Sequence, residues 1–87
     1  MERYTVQKEG AWVLAEGESS LPRALERLAR CEDLLSSLER EQAELSEKLE
    51  ALKVQGRQKT VQFRELMARK LVNQQLRLRL EEYKLLP

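Results

Sequence analysis

Few side chains in this sequence are of a type that could perform catalysis or hold a metal ion. The 87 residues include no histidine, one cysteine (Cys31) and one aspartate (Asp33). A cysteine nucleophile needs a neighbouring base to activate its thiol, so we interpret Cys31 as a small apolar side chain packed inside a helix interface. The glutamates between Glu39 and Glu50 favour a solvated acidic face over a metal site or an acid–base pair. We therefore predict that the protein is not an enzyme, and we assign it no catalytic residue, no metal ligand and no cofactor.

Lysines and arginines of the second half could contact phosphate groups. Residues 1–50 contain 7 Lys or Arg and 12 Asp or Glu, whereas residues 51–87 contain 9 and 3. In a helical projection, one basic stripe contains Lys59, Lys70, Arg77 and Lys84. Such a stripe is compatible with binding of nucleic acid, but no aromatic residue interleaves with it. A solvated face, or a face that pairs with an acidic helix, is the favoured interpretation, and nucleic acid is kept as an alternative partner.

A heptad pattern begins at Leu21 and is the most regular feature of the sequence. With Leu28 at position a, eleven of the fourteen a and d positions from Leu21 to Leu66 are apolar. This pattern is typical of a coiled-coil seam. Gln42 occupies a central a position, where a buried amide disfavours incorrect registers. The predicted partner-binding seam consists of Leu28, Leu35, Leu38, Gln42, Leu45, Leu49, Leu52, Phe63 and Leu66.

The stretch VQGRQKT around Gly56 raises the question of whether one helix or two are present. A hairpin is indicated by Lys53 near a helix end, Gly56 as a left-handed terminating residue, and Thr60 as the next cap. Phe63 and Leu66 nevertheless resume the same heptad phase, and one glycine costs a helix only about 1 kcal/mol. We favour a continuous helix from Leu21 to Leu86 and keep a helical hairpin broken near Gly56 as the alternative.

Apolar residues beyond Leu66 no longer follow the heptad seam. In a helix that continues through LRLRL, they cover an arc too wide for one partner helix. We predict a second docking surface, distinct from the seam, that consists of Leu71, Leu76, Leu78, Leu80, Tyr83 and Leu85.

The N-terminal segment differs in composition from the rest of the chain. Its β-favouring triplets, Tyr4 to Val6 and Trp12 to Leu14, are separated by Lys8-Glu9-Gly10, which indicates a small β hairpin. The predicted fold class is all-α, with a long coiled-coil helix or a hairpin and a short N-terminal extended or β-hairpin segment. The predicted divisions are an N-terminal segment (1–19), a heptad coiled-coil helix (20–55), a weak point or turn (56–60) and a basic helix with a wide apolar surface (61–87).

The flanking charges bear on the choice of partner. In a parallel homodimer of the seam, Lys48 would lie next to Lys53 of the other chain, which disfavours self-pairing. No segment approaches the roughly 20 apolar residues of a membrane-spanning helix, and we expect an intracellular protein, cytoplasmic or alternatively nuclear. The predicted function is that of a coiled-coil subunit or adaptor in a heteromeric complex with other helical chains, of the cytoskeletal, centrosomal, kinetochore or vesicle-tethering type. The alternative is a basic helical nucleic-acid-binding protein.

Overall fold

The computed structural model describes residues 1–86, so Pro87, the last residue of the predicted basic helix, lies outside the described residues. Two β-strands, β1 (Thr5–Lys8) and β2 (Ala11–Leu14), are followed by a 3-10 helix (Gly17–Ser20). Two α-helices complete the described chain, α1 (Leu21–Val54) and α2 (Val61–Glu82). The contacts divide the chain into two compact units, Met1–Leu34 (the first unit) and Leu35–Pro87 (the second unit).

The predicted N-terminal β hairpin is confirmed. β1 and β2 pair antiparallel, with Val6 opposite Val13 and Gln7 opposite Trp12. Glu9 and Gly10 form the two-residue turn with positive φ angles of 51° and 79°. Positive φ at both central residues is the geometry that matches the twist of the two strands. The amide of Ala15 donates to the carbonyl of Tyr4 at 2.9 Å and closes the open end of the hairpin.

The predicted continuous helix is wrong, because α1 ends at Val54. The amide of Arg57 donates to the carbonyl of Leu52 at 2.8 Å, and the amide of Gly56 donates to the carbonyl of Lys53 at 3.0 Å. Gly56 has φ +71°, so this is the Schellman arrangement that satisfies the last carbonyls of a helix. The side chain of Thr60 then accepts a hydrogen bond from the amide of Phe63 at 3.2 Å and caps the start of α2. The alternative interpretation, a hairpin broken near Gly56, is the one observed.

α2 packs antiparallel to the second half of α1 within the second unit. Gln42 contacts Lys70, and Glu39 contacts Arg77. Residues nearer the start of α1 therefore contact residues nearer the end of α2. The buried apolar residues among residues 1–86 are four leucines of α1: Leu38, Leu45, Leu49 and Leu52. α2 contributes the buried Asn73 and half-buried side chains on the same face: Phe63, Leu66, Met67, Lys70, Arg77 and Leu80. The apolar seam of α1 is therefore covered within the chain from Leu38 to Leu52, and the coiled coil with another chain stays a prediction.

Candidate protein-interaction surfaces

The residues of the predicted partner-binding seam have three kinds of environment. Leu38, Leu45, Leu49 and Leu52 are buried, and Leu28 is 55% exposed. The half-buried members of the seam are Leu35, Gln42, Phe63 and Leu66. Within the second unit, the α1 part and the α2 part of the seam face each other. Leu28, in the first unit, is the one seam residue that is exposed in the described chain.

A cluster of polar side chains links the two helices of the second unit. The guanidinium of Arg69 donates to Oε1 of Glu41 at 2.5 Å, and Nδ2 of Asn73 donates to the same oxygen at 2.8 Å. Asn73 is only 7% exposed, so this bond satisfies a buried amide group. Hydrogen bonds from Arg69 and Asn73 lower the pKa of Glu41, and the bond to Glu41 raises the pKa of Arg69. The heptad pattern did not reveal this cluster, since Asn73 interrupts the pattern and Glu41 lies beside it.

Gln42 is half-buried between α1 and α2 of the same chain, and its hydrogen-bond partner is a backbone group. Nε2 of Gln42 donates to the carbonyl of Lys70 at 3.3 Å. Its Oε1 is buried and has no hydrogen-bond partner among the described residues. An unpaired buried acceptor destabilises the folded state by about 1–3 kcal/mol. Gln42 therefore contributes one hydrogen bond between α1 and α2 and leaves its buried Oε1 unpaired at some cost in stability.

The basic stripe proposed for nucleic acid does not lie on one open face. Arg77 forms ion pairs with Glu39 of α1 and, at 3.4 Å, with Glu81. Lys70 is half-buried on the inner side of α2. Lys59 lies in the turn before α2, and Lys84 follows the end of α2. These four side chains would share one face only in a continuous helix. The turn and the packing of α2 on α1 place them in different environments.

The second predicted docking surface is largely exposed, but its last part is not helical. Leu71, Leu78, Tyr83 and Leu85 are 53%, 55%, 67% and 50% exposed, Leu76 is 38% exposed, and Leu80 is half-buried. α2 ends at Glu82, Lys84 adopts φ +58°, and the amide of Leu85 donates to the carbonyl of Leu80 at 3.0 Å. The prediction that the helix runs on to Leu86 is wrong. Leu71 and Leu78 remain together on one flank of α2, whereas Tyr83 and Leu85 belong to its terminating turn.

The first unit contains an arginine-lined cleft that the heptad pattern does not reveal. The cleft has a volume of about 380 Å³ and is lined by Tyr4, Arg23, Glu26, Arg27 and Arg30. The guanidinium of Arg27 lies 4.2 Å from the centre of the Tyr4 ring and donates to the carbonyl of Glu2 at 2.6 Å. The cation–π contact and this hydrogen bond attach the residues that precede β1 to α1. The spacing of Arg23, Arg27 and Arg30, which places them on one helix face, is the signal that could have found it.

Other apolar side chains of the first unit are exposed. Trp12 is 64% exposed, and its ring lies 5.6 Å from the guanidinium carbon of Arg3. On α1, Leu21 and Leu25 are 43% and 55% exposed and lie one turn apart. Together with Leu28 they form a row, called here the leucine row of α1. A row with this spacing is the pattern by which one helix packs on another.

Cys31 is exposed in the described chain, so no part of this chain packs on its thiol, and its packing against another chain stays a prediction. Residues before β1 contact α1 at Arg27, and Cys31 lies one turn beyond that contact. Among residues 1–86, no group of three or more His, Cys, Asp or Glu side chains is placed to hold a metal ion.

Comparisons with protein-family models, with curated proteins and with solved structures gave no match. Within the part of the chain that the structure describes, no helix is both long and apolar enough to span a membrane.

Proposed function

We propose that the protein is a non-enzymatic helical subunit or adaptor that assembles with other helical chains in a heteromeric complex. By architecture, the complex is of the cytoskeletal, centrosomal, kinetochore or vesicle-tethering type. The observation that supports this proposal is the contrast between a core of four leucines and the large apolar side chains left exposed on both helices. Exposed apolar rows of this kind are where soluble proteins bind other proteins.

The leucine row of α1 is the proposed site for a partner helix. Leu21, Leu25 and Leu28 are spaced by four and three residues and are 43%, 55% and 55% exposed. A partner helix that places apolar residues in the spaces between them would bury the exposed half of each side chain. At about 2 kcal/mol for complete burial of a leucine, each of these residues would contribute about 1 kcal/mol to binding. Glu32 and Asp33 follow the row along α1 and favour a partner with basic side chains at that end.

The nucleic-acid alternative is supported only by the basic composition of the second half. Two of its arginines already form ion pairs with glutamates of α1: Arg69 with Glu41, and Arg77 with Glu39. These pairs reduce the number of cations that can release counterions from a phosphate backbone. Binding of the full chain to a duplex oligonucleotide at two salt concentrations tests this alternative, which predicts measurable affinity that falls steeply as salt rises.

Recovery of the tagged full chain from cells, followed by mass spectrometry, tests the principal proposal. The variant is Leu25→Asp with Leu28→Asp, and its control is Arg30→Asp on another face of α1. Both changes lower the net charge by two units, so a general electrostatic effect would appear in both. Among residues 1–86, the ion pair that Arg30 forms is with the exposed Glu26 at 2.8 Å, and such surface pairs contribute little to stability.

The proposal predicts a helical partner that is retained by the unmodified chain and by the control but lost by the leucine variant. The purified partner should also re-form the complex with the purified chain at a fixed stoichiometry. If the leucine variant kept every partner, or if no recovered protein bound the purified chain directly, the leucine row would not be the assembly site.

A further inference from the structure

One flank of α2 carries exposed leucines that the packing of α2 on α1 does not cover. Leu71 and Leu78 are 53% and 55% exposed and lie seven residues apart, so they are separated by two turns and by only about 20° around the helix. Gln74 and Gln75 are exposed and lie between them. Arg64, one heptad before Leu71, lies on the same flank. So does Glu82, at the opposite end of α2.

This flank is complementary to itself when one copy runs in the opposite direction. If a two-fold axis passes between Gln74 and Gln75, Leu71 of each copy faces Leu78 of the other. The glutamine amides then meet at the centre, where each can donate and accept a hydrogen bond. A two-fold interface uses the same surface on both subunits, and the order of residues along this flank satisfies that condition.

The charges on the flank favour the same arrangement. In the antiparallel pairing, Arg64 of one copy lies within one turn of Glu82 of the other. No carboxylate lies within ion-pair distance of Arg64 among the described residues. Glu82 pairs with Arg79 at 2.9 Å, but both side chains are more than half exposed, so this pair can rearrange at little cost. A parallel pairing would instead place Arg64 next to Arg64 of the second copy, which like-charge repulsion disfavours.

We propose that the α2 flank containing Leu71, Gln74, Gln75 and Leu78 binds the same flank of a second copy of this chain. The two α2 helices run antiparallel about a two-fold axis between Gln74 and Gln75. Each hairpin thereby contributes two helices to a four-helix assembly, in which the leucines that one hairpin leaves exposed are covered by the other.

The inference goes beyond the proposed function and does not depend on it. The lysine repulsion that disfavours self-pairing of the seam concerns Lys48 and Lys53 of α1, and the α2 flank contains neither. The α2 flank shares no residue with the leucine row of α1, which stays the proposed site for a different chain. The heteromeric complex would then contain this chain twice.

Cysteine cross-linking of the full-length chain tests the position of the axis. The exposed Cys31 is first replaced by serine, and Gln75→Cys is then introduced next to the proposed axis. The control is Val72→Cys, on a neighbouring turn but about 100° away from the centre of the flank; Val72 is itself 62% exposed. A disulfide requires Cβ atoms about 3.8 Å apart, so oxidation should yield a covalent dimer with the cysteine at 75 and little or none with the cysteine at 72.

Light scattering during size-exclusion chromatography provides the second measurement on the purified chain alone. The Cys31→Ser chain should have twice the 10.2 kDa mass of the monomer over a concentration series. Leu71→Asp with Leu78→Asp should reduce the mass to that of the monomer and leave the helical circular dichroism unchanged, because both leucines are exposed. A chain that stays monomeric throughout, or equal cross-linking at 72 and 75, would overturn the inference. Neither result concerns recovery of a cellular partner, so failure of the dimer is distinguishable from failure of the proposed function.

Discussion

Replacing Leu49 by alanine should destabilise the second unit more than any other single truncation of an apolar side chain on α1. Leu49 is 3% exposed, the lowest value among the four core leucines. It lies between Leu45 and Leu52 on the face of α1 that α2 covers. Its side chain is therefore almost completely removed from water in the folded chain.

The expected loss follows from the atoms removed and the openness of the core. Leucine to alanine removes three carbon atoms, which at about 0.8 kcal/mol each corresponds to about 2.4 kcal/mol of transfer free energy. In large cores a cavity term raises the total to as much as about 5 kcal/mol. Here no described side chain is less than 2% exposed, so neighbouring side chains can move into the space and the cavity term is small. We expect a decrease in the free energy of unfolding of about 2–3 kcal/mol.

Urea denaturation followed by far-ultraviolet circular dichroism measures this loss. The control is Val54→Ala at the end of α1, where the valine is 79% exposed, and its effect should stay within about 0.5 kcal/mol. All measurements use one protein concentration, because association would add to the apparent stability. If Leu49→Ala cost no more than Val54→Ala, the seam would not be the core of the folded chain.

Three further changes test the turn and the polar cluster. Gly56→Ala should destabilise the hairpin by about 1–2 kcal/mol because the left-handed conformation at φ +71° is strained for a residue with a Cβ, and Gly56→Asn should cost less; equal costs in urea denaturation would contradict this reasoning. Thr60→Ala should cost about 1 kcal/mol through loss of the cap on Phe63, and Thr60→Ser should retain most of it. Hydrogen bonds from Arg69 and Asn73 lower the folded-state pKa of Glu41. The contribution of the Glu41 carboxylate to stability is therefore complete above the unfolded-state pKa of about 4.3. This contribution is lost as the pH falls through the lower folded-state pKa. Glu41→Gln should therefore flatten the decrease in melting temperature on acidification, whereas Glu44→Gln at an exposed site should not, and equal pH profiles for the two variants would argue against the cluster.

The local features of this fold could be predicted from the sequence because each depends on neighbouring residues. The β hairpin follows from two β-favouring triplets around Glu9-Gly10, and positive φ at Gly10 is what a tight turn needs. The sequence also indicates the start of α1 at Leu21. The helical-hairpin alternative includes the capping roles of Gly56 and Thr60. These signals act over three to six residues and do not require knowledge of what covers a helix.

At Gly56 the capping residues, and not the heptad phase, indicate the structure that is observed. Phe63 and Leu66 keep the phase of α1, but α2 would show an apolar face with 3.6-residue periodicity in either arrangement. An agreement of phase across a short turn arises by chance and does not require one helix. A pattern of apolar residues specifies which face is buried and not whether the cover comes from the same chain. For the same reason, the sequence identified Leu71 and Leu78 as surface-forming but did not show that Leu45 and Leu49 are covered by α2.

The polar contacts between the helices could not be read from a pattern. Glu41, Arg69 and Asn73 are separated by 28 and 32 residues along the chain. Their association depends on the register of α2 against α1, which the turn around Gly56 determines. The heptad pattern also places Cys31 in a seam, but that part of α1 is exposed in the described first unit, because the pattern does not say which chain covers it.

The short turn between α1 and α2 also bears on the order in which the second unit folds. Closing a short loop costs less chain entropy than closing a long one, and closure of about ten residues takes only about 10–100 ns. The contacts nearest the turn, around Leu52 and Phe63, should therefore form first. The pairs of Gln42 with Lys70 and Glu39 with Arg77 enclose progressively longer segments, of 28 and 38 residues, and should form in that order. The two helices of the second unit should thus pair progressively from the turn at Gly56 outward. The end of α2 that carries Arg77 should be the first part to detach when the chain unfolds.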